Sequence, residues 1–173
     1  MSSIFYDTSK KILFRLDPER AHDVALWGLK HLNACGFSFN KNTIVNNPLN
    51  VMGLTFRNKV GLAAGLDKNG DFINSLQNLG FGFIELGTVT PKPQVGNPKP
   101  RLFRIPEAEA LVNRLGFNNK GVDYLIDRVK NSNRDAVVGI NIGKNKTTPI
   151  EDAHHDYEHC LRKVYTLADY ITI

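Results

Sequence analysis

Short apolar segments that alternate with amphipathic ones limit the possible folds of this chain more than any other feature. Buried strands that alternate with helices are typical of a parallel sheet covered by helices. The apolar segments cover residues 60–64, 83–87, 136–143 and 169–173, and the helical patterns cover residues 72–79, 120–129 and 149–167. Four strands and three helices make half of a (β/α)8 barrel, a fold that typically needs ~250 residues to close. The sequence therefore predicts an α/β protein that contains the first half of a TIM barrel.

A two-helix extension is predicted ahead of the half barrel. Residues 4–15 mix apolar with basic side chains, and Asp17 and Pro18 suit the N-cap and first turn of a second helix. The second helix carries apolar residues at spacings of three and four, and Gly36 supplies its end. The extension is therefore expected to be helical up to this glycine.

A domain boundary is predicted near residue 47. The polar segment 38–47 is typical of a linker, and residues 49–58 predict two short strands that turn at Met52 and Gly53. We therefore divide the chain into a helical extension over 1–47 and the first half of the barrel over 48–173.

Positive charge is concentrated at the start of the chain. Of the formal charge of +5, an excess of four lies in residues 1–60, which hold eight Lys or Arg against four Asp or Glu. This asymmetry favours an anionic partner such as a membrane surface, and it disfavours nucleic acid because no basic stripe with interleaved aromatic residues follows. Two basic amphipathic helices can lie on a bilayer or form an apolar vestibule, and packing as an ordinary helical pair is the alternative.

Two features bear on the compartment. Cys35 and Cys160 are far apart and lack metal-ligand spacing, and no signal or transit peptide is recognised, so a reducing compartment is expected. No apolar run approaches the length of a transmembrane helix.

Residues 61–70 are the best candidate for the floor of a site. An apolar strand leads into a turn of small residues that carries Lys68, and Gly65 and Gly70 bracket this loop. A lysine at the carboxyl end of a buried strand can place its ammonium group beside an anion or a developing negative charge. A flat, electron-rich ligand is one interpretation, and a solvated lysine in a tight turn is the other.

Amide side chains supply a second candidate region. Residues 111–119 place three asparagines and an arginine around Gly116, which suits a heterocycle with alternating carbonyl and N–H groups, although amides are also common in turns. Asn141 is a polar residue in an otherwise apolar strand, so it needs partners, and a ligand could provide one. The proline-rich basic segment 90–106 is expected to be irregular and either functional or simply solvated.

Three histidines lie in the last predicted helix. His155 and His159 are four residues apart and could share a metal, but they and His154 have charged neighbours and no HExxH pattern. We therefore expect a solvated helix face and no metal site.

Six motifs occur in order along essentially the whole chain. They are LDPERAH at 16–22, GLAAGLDK at 61–68, IELGTVTP at 84–91, KPRLFR at 99–104, NRLGFNN at 113–119 and GINIGKN at 139–145. Together they resemble the class 2, quinone-linked dihydroorotate dehydrogenases. The two-helix extension and the lack of a partner-subunit signature favour class 2 over class 1, and the lack of a mitochondrial targeting segment favours the bacterial members.

The resemblance implies an activity and a set of site residues. Members of this family oxidise dihydroorotate to orotate in pyrimidine (UMP) biosynthesis, with FMN as cofactor and a membrane quinone as electron acceptor. The implied contacts are Ala64, Gly65, Leu66, Asp67, Lys68, Thr88 and Asn141 for FMN, Lys68, Asn113, Arg114, Leu115, Gly116 and Phe117 for the substrate, and His22 and Arg104 for the quinone. Lys68 would also act electrostatically, by stabilising the negative charge that develops as hydride reaches the flavin.

The resemblance further implies a peripheral protein on the cytoplasmic side of the cell inner membrane, bound through the N-terminal helices and monomeric when full length. The family's serine base and FMN phosphate site would lie beyond Ile173, so we expect an N-terminal half that is inactive alone. The alternative is a non-catalytic module that binds a membrane or a partner through its basic helices.

Overall fold

The structure is a computed structural model that describes residues 3–37 and 46–173, with side chains from Tyr6 onward. The helices are α1 Ser3–Leu13, α2 Pro18–Ala34, α3 Ile73–Gln77, α4 Val122–Lys130 and α5 Ala153–Val164. The strands are β1 Leu49–Val51, β2 Leu54–Phe56, β3 Gly61–Leu62, β4 Phe83–Val89, β5 Leu102–Ile105, β6 Ala110–Asn113, β7 Val137–Ile142 and β8 Tyr170–Thr172, and a 3-10 turn covers Pro106–Ala108.

These elements form two compact units. The N-terminal unit joins residues 3–37 to 97–115, and the barrel unit joins residues 46–96 to 116–173. The predicted division at residue 47 stays a prediction, and most of the predicted linker, residues 38–45, lies outside the described residues.

Local capping explains why α2 begins where the sequence predicts. The Asp17 carboxylate accepts hydrogen bonds from the backbone N of Glu19 at 3.0 Å and of Arg20 at 3.2 Å. Pro18 is the first helical residue, where it costs no hydrogen bond. Beyond the helix, Gly36 has φ +81°, a conformation that favours glycine and ends helices. Both predicted ends of this helix are therefore confirmed.

A β-hairpin completes the N-terminal unit and corrects one expectation. Strand β5 pairs with β6 in antiparallel register, from Leu102 opposite Asn113 to Ile105 opposite Ala110. The prediction of an irregular segment up to residue 106 is therefore wrong for residues 102–105. The prolines that suggested irregularity flank this strand and do not interrupt it, so its backbone N–H groups remain available to β6.

The barrel unit contains one parallel sheet in the order β3-β4-β7-β8. Its strands alternate along the chain with α3, α4 and α5, which confirms the predicted first half of an α/β barrel. The last helix is shorter than predicted, because Pro149 opens a turn in which Asp152 N donates to the Pro149 carbonyl, and α5 begins at Ala153. A separate antiparallel hairpin, β1–β2, turns at Met52 and Gly53 as predicted.

The core lies between one face of this sheet and the helices. Strands β4 and β7 supply fully buried aliphatic side chains, and α4 and α5 cover them with more. The buried members include Ile84, Leu86, Val138, Ile140, Leu125, Val129, Cys160 and Val164. Residues between these positions point to the opposite face, because successive side chains in a strand alternate. That opposite face carries the polar residues Glu85 and Asn141.

Candidate active site

The turn after β3 is fastened to the end of β4. The backbone N of Gly65 donates to the Gly87 carbonyl at 2.8 Å, and the Gly87 N donates to the Asp67 carbonyl at 3.3 Å. These two bonds bring the predicted FMN-binding turn, residues 64–68, beside Thr88, which the sequence also assigned to FMN. Gly65 has φ +104°, and apart from the glycine itself and its two chain neighbours, no atom of the described residues lies within 4 Å of the position that a Cβ would take. The backbone there is open to a flat ligand.

Asp67 closes the loop that carries Lys68. Its carboxylate accepts from the backbone N of Asp71 at 2.9 Å and of Phe72 at 2.8 Å, and the residue is only 3% exposed. Burial raises the pKa of Asp67 above its ordinary value, although the backbone hydrogen bonds oppose this shift. The Asp67 side chain is therefore committed to the loop, and the FMN contact predicted for this residue is untested.

Lys68 lies in a loop that is held on both sides. The residue is half-buried, Asp67 precedes it, and Oδ1 of the following Asn69 accepts from the backbone N of Lys120 at 2.9 Å. A cation on a backbone fixed in this way needs little reorganisation before it meets a negative charge. The electrostatic role of Lys68 stays a prediction, and the fixed backbone is compatible with it.

Three polar side chains face one another across β4, β7 and β8. Oε1 of Glu85 accepts from Nδ2 of Asn141 at 3.3 Å, and Oε2 of Glu85 accepts from the hydroxyl of Tyr170 at 3.0 Å. Asn141, the polar amide that the sequence singled out, is half-buried and has a protein partner. Burial and the neighbouring Glu85 carboxylate raise the pKa of the Tyr170 hydroxyl.

Sequence reasoning missed Glu85 and Tyr170. The available signal was a charged residue inside an apolar strand, the same anomaly that identified Asn141. Gly139, opposite Glu85 in the strand register, makes the arrangement possible, because a Cβ there would lie 2.1 Å from Cζ of Tyr170.

The amide-rich segment is divided between the two units. Asn113, Arg114 and Leu115 belong to the N-terminal unit, where Arg114 donates from Nη2 to the Pro100 carbonyl at 3.1 Å. Gly116 and Phe117 belong to the barrel unit, and both have positive φ.

Asn118 belongs to the amide cluster that the sequence suggested for a heterocycle, although the family resemblance implied no ligand contact for it. Its Oδ1 atom is buried and has no hydrogen-bond partner within the part of the chain that is described. Buried polar atoms are almost always paired in native proteins. This atom could accept a hydrogen bond from an N–H group of a ligand.

The two predicted quinone contacts both lie in the N-terminal unit. His22 is half-buried near the start of α2, which packs against β5, the strand of Arg104. Nη1 of Arg104 donates to the Leu16 carbonyl at 2.9 Å, and the guanidinium group lies 4.7 Å from the centre of the Phe14 ring. Arg104 is therefore held at the turn between α1 and α2.

An ion pair that sequence reasoning did not identify fastens the hairpin to α2. Nε of Arg101 donates to Oε1 of Glu19 at 2.9 Å, and Lys99 lies 3.0 Å from Oε2. Arg101 is 8% exposed. Burial alone would raise the pKa of Glu19, but hydrogen bonds and charges from Arg101 and Lys99 outweigh it and lower that pKa.

The histidines of α5 lie on an exposed face. His154, His155 and His159 are all at least partly exposed, and the rings of His154 and His155 lie 3.8 Å apart. Within residues 3–37 and 46–173, no group of three potential metal ligands is found. None of the described helices has the length and apolar character needed to cross a bilayer.

The parallel half barrel, with the Lys68 loop after β3 and Thr88 near the carboxyl end of β4, defines the first half of an α/β-barrel protein. The chain belongs to the dihydroorotate dehydrogenase family, whose model matches residues 48–173. This confirms the resemblance drawn from the six sequence motifs.

Two bacterial relatives and one solved structure illustrate the match. The chain is 57% identical to the dihydroorotate dehydrogenase (quinone) of Proteus mirabilis and 55% identical to that of Pectobacterium atrosepticum, in each case over 98% of this chain and 51% of the relative. A crystal structure of the Eimeria tenella enzyme in complex with ferulenol superimposes with a TM-score of 0.78 at 42% identity, covering 90% of this chain and 43% of that one. The chain thus spans about half the length of the curated relatives it matches.

Proposed function

We propose that this chain forms the N-terminal half of a quinone-linked dihydroorotate dehydrogenase, which oxidises dihydroorotate to orotate in pyrimidine biosynthesis. The observation that carries the proposal is the fastening of the Gly65–Lys68 turn to Gly87. This places a lysine and an open glycine backbone beside Thr88, at the carboxyl end of a parallel sheet. Barrel enzymes build their active sites at this end.

The residues fit a planar flavin. Gly65 leaves the space above its backbone open, and the half-buried Lys68 supplies a positive charge. The buried Oδ1 of Asn118 can accept a hydrogen bond from a ring N–H of either the cofactor or the substrate. Cationic, amide and backbone groups of this kind are what a heterocycle with alternating carbonyl and N–H groups requires.

When bound, FMN supplies the chemistry of accepting a hydride. The residues of this chain would bind and orient the reactants. The Lys68 ammonium group would stabilise negative charge that develops beside it. Asn141 would hydrogen-bond the cofactor through its Oδ1 or through the second N–H of Nδ2, because only one of the two N–H groups donates to Glu85. Asn113 and the backbone through Phe117 would hold the pyrimidine ring.

The N-terminal unit would serve the quinone and the membrane. The last turn of helix α1 contains Lys10 and Lys11. Ile12 and Trp27 are 59% and 60% exposed. Basic and apolar side chains together suit the interface of an anionic bilayer. We place the protein peripherally on the cytoplasmic side of the cell inner membrane, as a monomer when full length, with His22 and Arg104 near the quinone head group.

A chimaera tests the proposed function. It joins this chain to the C-terminal half of the Proteus mirabilis relative, and below we call it the chimaera. We expect a yellow protein whose flavin absorbance is bleached by dihydroorotate without oxygen and restored by a quinone. A folded, colourless and monodisperse chimaera would contradict the proposal and favour the non-catalytic binding module.

A further inference from the structure

Three buried polar side chains lie under the loops of the candidate site and form one connected network. They are Thr90, Asn119 and Asn145, with exposed fractions of 0%, 7% and 5%. Thr90 follows β4, Asn119 precedes α4, and Asn145 follows β7. Three segments that are far apart in the sequence therefore meet at one buried point in the barrel unit.

The hydroxyl group of Thr90 is the centre of this network. Its oxygen accepts from Nδ2 of Asn119 at 2.8 Å and from Nδ2 of Asn145 at 3.1 Å, and it donates to the Lys92 carbonyl at 2.7 Å. The hydroxyl thus uses its single proton and both of its acceptor positions. A methyl group in its place would remove three hydrogen bonds from a buried site, where lost partners are costly.

Asn119 holds the backbone of two loops at once. Its Oδ1 accepts from the backbone N of Thr90 at 3.3 Å and of Gly121 at 2.8 Å, and its Nδ2 also donates to the Phe117 carbonyl at 2.7 Å. The conformation of the Phe117 segment is therefore tied directly to the end of β4.

Asn145 and Gln94 extend the network to the loop after β7. Oδ1 of Asn145 accepts from the backbone N of Lys92 at 3.0 Å, and its Nδ2 donates to Oε1 of Gln94 at 3.0 Å. The same Gln94 oxygen accepts from the backbone N of Lys146, and Nε2 of Gln94 donates to the Gly116 carbonyl at 3.1 Å. The network therefore joins the segments that follow the strands of Thr88 and Asn141 to the segment that contains Gly116 and Phe117.

Each member lies close in sequence to one predicted ligand contact. Thr90 and Asn119 come two residues after Thr88 and Phe117, and Asn145 comes four residues after Asn141. We propose that Thr90, Asn119 and Asn145 are positioning residues that hold these three contacts in a common register for flavin and dihydroorotate. The proposal rests on the proposed function, and it assigns the network no direct contact with either ligand.

Thr90→Val and Thr90→Ser in the FMN-loaded chimaera test the proposal, because valine removes the hydroxyl and serine keeps it. We expect Thr90→Val to weaken FMN binding and to lower kcat/KM for dihydroorotate by about 10- to 100-fold, since small displacements of positioned groups have effects of this size. Thr90→Ser should restore both to within about threefold. FMN binding is followed by flavin fluorescence and turnover by orotate formation.

Gln77 provides a matched control. It is also a buried amide that fastens a loop, because its Oε1 accepts from the backbone N of Asp135 at 2.8 Å and of Ala136 at 3.1 Å. These two residues precede β7, so they lie at the end of the sheet opposite to the candidate site. Gln77→Leu should lower the melting temperature and leave kcat/KM and FMN affinity within about twofold.

The proposal is overturned if Thr90→Val loses only thermal stability, as Gln77→Leu is expected to do. If Thr90→Val does not fold, Asn119→Asp decides in the same way, because it keeps the acceptor for Thr90 N and removes both Nδ2 bonds. An unsubstituted chimaera that binds FMN but does not oxidise dihydroorotate would contradict the proposed function instead, and the effect of Thr90→Val on FMN affinity would still decide the positioning role.

Discussion

The hydroxyl group of Tyr170 reaches over β7 to donate to Oε2 of Glu85 at 3.0 Å, although the two residues lie in strands that are not neighbours in the sheet. This contact exists because Gly139 of the intervening strand has no side chain. The same carboxylate orients Asn141 through its other oxygen. A glycine, a tyrosine and a glutamate thus set the direction in which a predicted flavin contact points.

Substitution of Gly139 by alanine should disrupt this arrangement. The new Cβ would lie 2.1 Å from Cζ of Tyr170, so the ring must move and its bond to Glu85 must break. We expect the chimaera to lose roughly 1–3 kcal/mol of unfolding free energy, as is typical for overpacking. Tyr170→Phe keeps the ring and removes only the hydrogen bond, so it should cost about 1 kcal/mol. Urea titration measures both, and equal stability of the Gly139→Ala variant and the parent would contradict the packing argument.

Removal of the Lys68 charge should slow flavin reduction more than it weakens flavin binding. Lys68→Ala should cost roughly 3 kcal/mol of transition-state stabilisation, or on the order of a hundredfold in rate. Stopped-flow bleaching of the chimaera by dihydroorotate gives the rate. A rate within a factor of about three of the parent would show that the lysine is a bystander.

The Glu19–Arg101 ion pair should make the free energy of unfolding depend on pH. Because the folded state lowers the pKa of Glu19 below its ordinary 4.5, its contribution is fully present above that value and is lost as pH falls through the folded pKa. Glu19→Gln removes the carboxylate, and at neutral pH we expect a loss of ~2 kcal/mol, the range for a hydrogen bond to a charged group. The difference between variant and parent should shrink below pH 4.5, as acid titrations followed by circular dichroism would show. A difference that stays constant with pH would rule out the ion pair as its cause.

Deletion of residues 1–40 from the chimaera should separate the two half-reactions. Bleaching of the flavin by dihydroorotate should persist, because Lys68 lies in the barrel unit and Asn113 lies in the hairpin segment that the deletion keeps. Turnover with a long-chain quinone should be lost, since His22 and an apolar channel formed by residues such as Phe5, Ile12 and Leu29 are predicted to serve the quinone. Parental turnover of long-chain quinone by the shortened protein would show that the helices only pack against the protein.

Binding to anionic vesicles should fall in the same deletion. Lys10, Lys11, Arg15 and Arg20 would each contribute ~1 kcal/mol near such a surface. The loss should be largest at low salt, because screening already weakens these interactions at high salt. Vesicle sedimentation at low and at high salt measures it, and the chimaera with these four residues changed to glutamine is the control for charge alone.

The sequence predicted those features whose causes are local. The Asp17 cap, Pro18 and Gly36 act within a few residues, and both ends of α2 were predicted correctly from them. The parallel half barrel followed from apolar segments that alternate with helices, and the family was recognised from motifs in order. These signals need no knowledge of which distant residues meet.

Features that depend on distant contacts were missed. The bond between Glu85 and Tyr170 spans 85 residues, and the pair of Glu19 with Arg101 spans 82 residues. Strand β5 was missed for a related reason. Its flanking prolines can be read from the sequence, but its pairing with β6 cannot. The positions of the predicted flavin, substrate and quinone contacts stay predictions that the chimaera can test.

The N-terminal unit is assembled from two pieces of chain that are separated by about sixty residues. In a hybrid protein, the helices and the hairpin of this unit therefore match only when both pieces come from the same parent. Recombination that exchanges the first 37 residues between family members would pair Glu19 of one parent with residue 101 of another parent. Natural or laboratory hybrids of these enzymes should tolerate crossovers after β6 better than crossovers between α2 and β5.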